Sequence, residues 1–170
     1  MFFERFYPKK IFKTALDISI DFLRINNIEA IFLDVDNTII DYDYNVLEGI
    51  ENWIQNLKNN NIKICILSNT RKKKKAEKIS QMLELPYIYL ATKPLKRGFK
   101  KAKKLLNLTE NKRIAVVGDQ IMTDVLGANR AGMYSILVEP IKPKDIFVTR
   151  INRIMERIVL KQYNKQKKGE

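Results

Sequence analysis

The sequence predicts an α/β fold, a doubly wound parallel sheet of five strands in one domain with no inserted cap. Short apolar runs alternate along the chain with segments whose apolar residues recur at helical spacing. Reactive side chains also follow four of the five apolar runs. Parallel sheets of this kind bind ligands beyond the carboxyl ends of their strands, so we expect one site at that edge.

Each predicted strand is a short apolar run. The first comprises residues 30–33, between Glu29 and Asp34, and the second is rich in β-branched isoleucine. The third is the shortest, and the fourth ends at a Gly-Asp pair. In chain order the five predicted strands are residues 30–33, 62–67, 87–90, 113–117 and 134–138.

The helices are predicted from apolar side chains three and four residues apart. In the first helix, Leu47, Ile50, Ile54 and Leu57 share one face. The last helix stops before Gly132, a residue type that commonly follows a helix C-terminus. The four predicted helices are residues 46–60, 75–83, 96–106 and 123–131.

Composition excludes several classes of protein. The chain has 170 residues, no histidine and one cysteine. Histidine general bases, structural zinc and an intrachain disulfide are therefore excluded, and we expect a cytoplasmic location. No apolar stretch approaches the ~20 residues that span a bilayer, and charged residues interrupt the apolar N-terminus, so no signal peptide is evident. A bound metal would be a hard cation held by oxygen, with Mg²⁺ the first candidate.

The net charge of +13, from 32 basic and 19 acidic residues, would attract phosphorylated substrates, anionic lipid or nucleic acid. Alternatively, the charge reflects a generally lysine-rich composition and carries no function.

The chemistry begins with Asp34 and Asp36, two carboxylates just after the first strand. One can attack phosphorus while the other transfers protons, and a cation lets both lie beside a phosphate. Ser68, Lys93 and Asp119 are predicted to follow the second, third and fourth strands. Reactive residues at four successive strand ends are more specific than any single motif.

Four segments together resemble the motifs of the haloacid dehalogenase superfamily, in the superfamily's order. They are Asp34-x-Asp36-x-Thr38, Leu67-Ser68-Asn69, Lys93-Pro94 and Gly118-Asp119-x-x-x-x-Asp124. The spacing, with Thr123-Asp124-Val125-x-Gly127, is similar to the YqeG-type branch of subfamily IIIA. Some members of that branch are phosphatidylglycerophosphate phosphatases. The resemblance implies a HAD-like Rossmannoid fold.

The resemblance also implies catalytic roles. Asp34 would be the nucleophile that forms an aspartyl-phosphate, and Asp36 would protonate the leaving oxygen and then activate water. Ser68 would hydrogen-bond the phosphoryl oxygens with help from Asn69, and Lys93 would neutralise phosphoryl charge and position Asp34. Without the resemblance, Asp34 and Ser68 could each be a simple turn or helix-cap residue.

The metal and its surroundings follow from the same resemblance. Mg²⁺ would be held by the carboxylates of Asp34 and Asp119 and by the main-chain carbonyl of Asp36. Asp124 would orient Lys93 or a metal-bound water; alternatively it is an acid that favours a helix N-terminus. Thr38 would brace the loop or donate to the phosphate.

A cysteine-phosphatase site is rejected. Cys65 and Arg71 have the spacing of that class, but the intervening residues contain no glycine to curl around phosphate. Cys65 also lies within an apolar strand, so we expect a buried core residue.

The spacing between motifs leaves no room for a cap domain. An open site can accept phosphate on a large carrier, such as a lipid, a protein or a nucleic acid end. Two basic segments, 71–75 and 150–168, are candidates for contact with an anionic membrane. The second lies in a predicted helical extension at about 145–170, whose apolar face could instead pack on the sheet. Phe2, Phe3, Phe6 and Tyr7 could insert at an interface or cover the core.

We therefore expect a magnesium-dependent phosphomonoesterase whose leading substrate is phosphatidylglycerophosphate, in the cytoplasm or peripheral at the inner membrane face. One alternative keeps the chemistry but takes a soluble nucleotide or sugar phosphate. Another is a basic RNA- or ribosome-binding module with a vestigial site; nucleic acid is the less favoured partner. The oligomeric state and the rate are left open by the sequence.

Overall fold

A parallel sheet of six strands organises the protein. The computed structural model describes residues 3–41, 43 and 45–142, with the backbone alone for Phe3. The strands are β1 (Lys10–Phe12), β2 (Ala30–Leu33), β3 (Lys63–Leu67), β4 (Tyr87–Ile88), β5 (Ile114–Gly118) and β6 (Tyr134–Val138). Their order across the sheet is β1-β6-β5-β2-β3-β4, and every neighbouring pair is parallel. The predicted extension at 145–170 and Phe2 lie outside the described residues.

Five α-helices connect the strands. They are α1 (Ile20–Ile25), α2 (Ile50–Asn59), α3 (Lys73–Leu83), α4 (Lys96–Leu105) and α5 (Leu126–Ala131). Shorter turns of 3-10 helix comprise Phe3–Phe6, Ala15–Asp17 and Asn111–Arg113, and one π-helical turn, Ile121–Val125, precedes α5. Among the described residues, one helix connects β2 to β3 and one helix connects β3 to β4, so neither connection contains a cap.

The helices cover both faces of the sheet, as period-two side-chain alternation requires. On one face Leu33 and Ile66 pack with Trp53 and Leu57 of α2. On the other face Phe32 and Cys65 pack with Phe99 of α4. Alternate residues of the central strands therefore bury apolar side chains in two separate cores, which confirms the doubly wound fold.

The sixth strand corrects the predicted count of five. β1 pairs with β6, with Lys10 opposite Ile136 and Phe12 opposite Val138. Its three residues are exposed or half-buried. They therefore lack the apolar run by which the other strands were predicted, and their pairing partner is distant in sequence.

Several element boundaries differ from the prediction by a few residues, and two of these differences have a clear backbone reason. The third predicted strand ends at Ile88, because Leu90 adopts a positive φ of 49°. The first predicted helix begins at Ile50 and not at residue 46, since Gly49 has a φ of 87° and Leu47 N–H donates to Ile39 O. The described residues between 34 and 49 therefore form a long loop at the carboxyl edge of the sheet.

The candidate site residues lie where the order of the strands across the sheet reverses. From β2 the chain moves outward to β3 and β4, while β5 and β6 lie on the other side of β2. Adjacent strands wound in opposite senses leave a crevice at their carboxyl ends. Asp34 follows β2 and Asp119 follows β5, so both lie at this crevice.

Candidate active site

A buried lysine joins two buried carboxylates at the centre of the crevice. Lys93 Nζ lies 2.5 Å from Asp34 Oδ1 and 2.6 Å from Asp124 Oδ1. The side chains of Lys93, Asp34 and Asp124 are 2%, 8% and 1% exposed. Charged groups at this depth require close opposite charges. Asp34 and Lys93 come from the loops after β2 and β4, and Asp124 comes from the π-helical turn after β5, so the tertiary structure assembles them.

Burial and neighbouring charges shift the pKa values of Asp34 and Lys93. Burial raises the pKa of Asp34 to about 6, even though Lys93 opposes this shift, and the Asp124 and Asp36 charges add to it. Burial by itself would lower the pKa of Lys93, but Asp124 and Asp34 more than offset this and hold it above the ordinary value. Lys93 is therefore a permanent cation beside the Asp34 carboxylate.

Asn69, α4 and α5 all contact the loop that carries Lys93. Asn69 Oδ1 accepts from Lys93 N–H at 2.7 Å, and Asn69 Nδ2 donates to Lys93 O at 3.0 Å. Gly98 of α4 packs so closely that an added Cβ would lie 2.3 Å from Ala91 O, and a Cβ on Gly127 would lie 3.2 Å from Pro94 Cα. Asn69 thus positions Lys93 in this structure, while its predicted contact with phosphate stays a prediction.

Because Gly118 has no side chain, there is space for the Asp124 carboxylate beside Lys93. A Cβ at this last residue of β5 would lie 2.3 Å from Asp124 Cγ. The second carboxylate oxygen, Asp124 Oδ2, accepts from Gln120 N–H at 3.2 Å. Both oxygens of Asp124 therefore make contacts that fix its orientation, and one of them orients Lys93.

The second motif carboxylate occupies a more open position. Asp36 Oδ1 lies 2.5 Å from Lys75 Nζ, with 35% of the Asp36 side chain and 21% of the Lys75 side chain exposed. Thr38, by contrast, is buried and donates from Oγ1 to Asp34 Oδ2 at 3.3 Å. The motif loop thus directs Thr38 to the Asp34 carboxylate and Asp36 to the rim of the crevice.

A third carboxylate completes an acidic cluster. Carboxylate oxygens of Asp34, Asp119 and Asp124 lie within 4.8 Å of one another, and Asp119 Oδ1 is buried. With Lys93, these groups carry a formal net charge of −2, which a divalent cation would neutralise. Hard oxygen donors are the ligand type that Mg²⁺ prefers. The donor set therefore fits Mg²⁺; the Asp36 side chain is not a member of the cluster.

Ser68 and Cys65 occupy very different environments although both come from the β3 region. Ser68 is buried directly after the strand, and its Oγ accepts from Thr70 N–H at 3.1 Å, which leaves the hydroxyl proton for another acceptor. Cys65 is fully buried within the core, and burial raises the pKa of its thiol to about 12. Such a thiol is a poor nucleophile, so the cysteine mechanism is not supported.

Sequence reasoning missed the role of Asn37 in linking the motif loop to the chain after β6. Asn37 has a φ of 65° and is buried; its Nδ2 donates to Lys142 O at 2.7 Å and its Oδ1 accepts from Lys142 N–H at 2.9 Å. Lys142 Nζ also contacts Asp41 Oδ2 at 2.7 Å. An asparagine in a turn often signals a positive φ, but nothing local identifies a partner 105 residues away.

Lys75 was predicted as part of a basic run, but not as a partner of Asp36. The signal available was helical spacing, because Lys75 lies four residues before the buried Ile79 on α3. The structure brings Asp34, Thr38, Lys93, Asp119 and Asp124 together in the crevice. Asp36 lies at the rim of the crevice, Ser68 follows β3, and Asn69 holds the Lys93 backbone through two hydrogen bonds.

Comparison with known proteins identifies relatives of the whole described region. The family model described as mitochondrial PGP phosphatase matches residues 4–142. A curated relative, the probable phosphatase YqeG of Bacillus subtilis strain 168, is 36% identical over 156 residues, covering 91% of this chain and 90% of that protein. The matched region contains every motif residue named above.

Solved structures support the fold. A cobalt-bound deoxy-D-mannose-octulosonate 8-phosphate phosphatase (YrbI) from Haemophilus influenzae aligns with a TM-score of 0.54 at 16% identity, covering 84% of this chain and 92% of that one. An uncharacterised protein from Listeria monocytogenes serotype 4b aligns with a TM-score of 0.57, also at 16% identity, covering 70% and 85%. A search of the described helices for a bilayer-spanning segment finds none of sufficient length and apolarity.

Proposed function

Because the chain belongs to the mitochondrial PGP phosphatase family of the haloacid dehalogenase superfamily and is a phosphoric monoester hydrolase, we propose that it is magnesium-dependent and dephosphorylates phosphatidylglycerophosphate. The product would be phosphatidylglycerol. The observation that carries the proposed chemistry is the bridge of Lys93 between Asp34 and Asp124, at 2.5 and 2.6 Å. A buried carboxylate fixed beside a permanent cation supports this chemistry, because the cation can offset the negative charge that a phosphoryl group would bring next to the attacking oxygen.

The proposed reaction has two steps on this chain's own residues. An Asp34 carboxylate oxygen attacks phosphorus, the bond from phosphorus to the ester oxygen breaks, and that oxygen takes a proton from Asp36. The result is an aspartyl-phosphate on Asp34 and a free alcohol. Asp36 then takes a proton from water as the water oxygen attacks phosphorus, which releases inorganic phosphate and restores Asp34.

The supporting residues reduce the electrostatic cost of that reaction. Lys93 places positive charge beside Asp34, where three phosphoryl oxygens would gather negative charge. Ser68, with its hydroxyl proton available, lies at the end of the neighbouring strand β3. Preorganised donors of this kind typically contribute ~3 kcal/mol each to transition-state stabilisation.

Mg²⁺ would be held by the carboxylates of Asp34 and Asp119 together with the main-chain carbonyl of Asp36. When bound, it would neutralise negative charge on the phosphoryl group and on the two carboxylates. The −2 formal charge of the acidic cluster with Lys93 supports a divalent ion. The cobalt-bound YrbI phosphatase, which shares the fold, is a precedent for a divalent metal in a similar architecture.

The choice of a lipid substrate rests on the family and on access. Neither connection that could contain a cap does so among the described residues, which leaves the site open to a phosphate on a large carrier. The main alternative is a soluble phosphomonoester, such as the sugar phosphate named for YrbI. The site chemistry is the same in both cases, so only a substrate comparison separates them.

The test is phosphate release from phosphatidylglycerophosphate in mixed micelles and from a panel of soluble nucleotide and sugar phosphates, with and without Mg²⁺. We expect the lipid to be the best substrate and chelation to abolish activity. Asp34→Asn should lose at least ~10³-fold in kcat. Asp21→Asn, whose wild-type side chain is 86% exposed on α1, is the matched control and should match wild type. Activity confined to soluble esters would overturn the lipid assignment, and an active Asp34→Asn would overturn the mechanism.

A further inference from the structure

An exposed patch of mixed leucine and basic residues borders the mouth of the active site. We define the rim patch as Leu90, Leu95, Arg71, Lys72, Lys96 and Arg97. Leu90 is 46% exposed and Leu95 is 54% exposed, and the four basic residues are exposed as well. We propose that the rim patch docks the protein on an anionic lipid surface, so that a phosphate at that surface reaches Asp34.

The patch is one surface because two loops are bonded together beneath it. Leu90 N–H donates to Thr70 O at 3.1 Å, which places Leu90 beside the residue before Arg71. The paired hydrogen bonds between Asn69 and Lys93 join the same two loops a few residues further on. Leu95, Lys96 and Arg97 follow directly after Lys93 and Pro94. The buried lysine of the active site and the exposed leucines thus belong to one short loop.

The backbone of that loop adopts an unfavourable conformation that exposes an apolar side chain. Leu90 has a φ of 49° and Thr92 has a φ of 56°, in the left-handed region that costs non-glycine residues ~1 kcal/mol or more. A polar asparagine or a glycine would adopt this conformation more easily and would also suit an exposed position. A leucine there indicates that the exposed apolar side chain has a use.

The charges of the patch oppose the local helix dipoles. Both α3 and α4 begin at this edge, with basic side chains and no acid in the first turn of either helix. Positive side chains at a helix N-terminus are unfavourable, since that end already carries partial positive charge. α2 instead has Glu51 in its first turn. An anionic partner would stabilise both helix ends and every basic side chain around them.

A lipid surface fits this combination better than other polyanions do. Basic side chains near an anionic bilayer contribute ~1 kcal/mol each, and aliphatic side chains between them enter the boundary of the acyl chains. A nucleic acid would bind the same basic side chains but would gain little from the exposed leucines, because bases stack on aromatic side chains and not on aliphatic ones. The assignment to lipid deepens the proposed function and rests on it for the identity of the phosphate carrier.

The experiment compares vesicle binding by the full chain and by three variants. Vesicles are made of phosphatidylcholine alone or with phosphatidylglycerol, and bound protein is measured by cosedimentation at low and high salt. We expect wild type to bind only the anionic vesicles. The double variant Leu90→Asn/Leu95→Gln should bind about tenfold more weakly, since two half-exposed leucines no longer enter the bilayer. Asparagine is chosen at 90 because it tolerates the positive φ.

The matched control is Leu105→Gln. Leu105 is 50% exposed and lies on the same helix as Lys96, but at the other end of α4, where Leu106 O accepts from Lys63 at the start of β3. This variant should bind vesicles as wild type does. The third variant, Lys72→Gln/Lys96→Gln, should also lose binding, with a weaker dependence on salt.

The outcomes separate docking from catalysis. Hydrolysis of a soluble phosphomonoester should be unchanged in the leucine double variant, because neither leucine is placed in the catalytic machinery. Equal vesicle binding by wild type and the leucine double variant overturns the docking surface. The docking surface is also overturned if wild type binds single-stranded RNA but no vesicles, and if only the lysine variant loses that RNA binding. This result would assign the basic residues to nucleic acid. Vesicle binding without hydrolysis of phosphatidylglycerophosphate supports the docking surface and refutes the proposed substrate.

Discussion

The two halves of the catalytic crevice are built in opposite ways. In the attacking half, Lys93, Asp34 and Asp124 are 2%, 8% and 1% exposed, and each is fixed by at least two contacts. In the leaving-group half, Asp36 and Lys75 form an ion pair at 2.5 Å, and their side chains are 35% and 21% exposed. The first half is buried by strands and helices, whereas the second lies between a loop and the first turn of α3.

From this difference in exposure we infer that the buried half carries out the reaction common to all substrates, while the exposed half influences which substrate is used. A phosphoryl group is the same in every phosphomonoester, so the residues that attack it can be rigid and buried. The leaving group differs from one substrate to the next, and Asp36 and Lys75, which we place beside it, are partly exposed to solvent. We therefore expect substitutions in the attacking half to reduce kcat for all substrates, and substitutions in the leaving-group half to act more weakly and to depend on the substrate.

The largest effect is expected for Lys93→Met. Loss of the cation beside Asp34 should lower kcat by ~10³-fold with every substrate. It should also lower the free energy of unfolding by ~3–5 kcal/mol, because two buried carboxylates lose their partner. Phosphate release and urea unfolding measure the two effects. Adding Asp124→Asn should recover stability and not activity, and recovered activity would contradict a direct role of Lys93.

Gly118→Ala tests whether the attacking half requires its packing. The new Cβ would lie 2.3 Å from Asp124 Cγ, so Asp124 must move away from Lys93, and kcat should fall by ~10²-fold. Gly132→Ala is the control: it has a φ of 70° and open space around it, so it should lose ~1 kcal/mol of stability with kcat unchanged. Equal kcat values for the two variants would show that the position of Asp124 is unimportant.

Lys75→Met should have a smaller and more selective effect. Removing the ammonium beside Asp36 should lower kcat/KM by about tenfold for a substrate with a second negative charge near the ester oxygen, and less for an uncharged leaving group. Steady-state kinetics with two soluble esters of these kinds measure it, so that membrane docking plays no part. Lys74→Met changes the same charge at an exposed neighbour and should match wild type. An identical loss for both esters would argue against a role for Lys75 in substrate choice.

The smallest effect on activity is expected at Asp41, which anchors the motif loop to Lys142 and has no proposed role in the reaction. Lys142 and Asn45 hold the pKa of Asp41 well below its ordinary value of 3.8. Its stabilising contribution is therefore fully present above about pH 3.8 and is lost as pH falls through the lowered pKa of the folded state. Asp41→Asn should be less stable than wild type near neutral pH, and the difference should shrink in acid.

Urea unfolding at several pH values measures this difference, with Asp43→Asn as the control. Asp43 also contacts Lys142, but its side chain is 70% exposed, so its removal should matter less. A stability gap for Asp41→Asn that stays constant below pH 3.8 would show that ionisation of Asp41 does not stabilise the fold.

The sequence by itself determined the parallel α/β sheet and the identities of the residues in the crevice. Both depend on local information: apolar runs with period two, helical spacing, and reactive residues directly after strands. Asp34, Lys93 and Asp119 could be named because the carboxyl ends of parallel strands necessarily meet at one edge. Asp124 could be named only because the segment from Gly118 to Asp124 resembles a superfamily motif. The short third strand and the start of α2 were misjudged by a few residues, because a positive φ at Leu90 and at Gly49 ends or delays a regular element.

Only the tertiary structure decided which of these residues are buried and what supports them. β1 forms because β6, more than a hundred residues later, offers it an edge. Lys75 contacts Asp36, which lies 39 residues away in the sequence, and the Asn37 side chain hydrogen-bonds the backbone of Lys142, which lies 105 residues away. Contacts at such separations depend on the packing of whole helices against the sheet, and no local pattern in the sequence encodes them. The sequence could therefore name the residues of the site, while three-dimensional packing divided them into a buried half and a more exposed half.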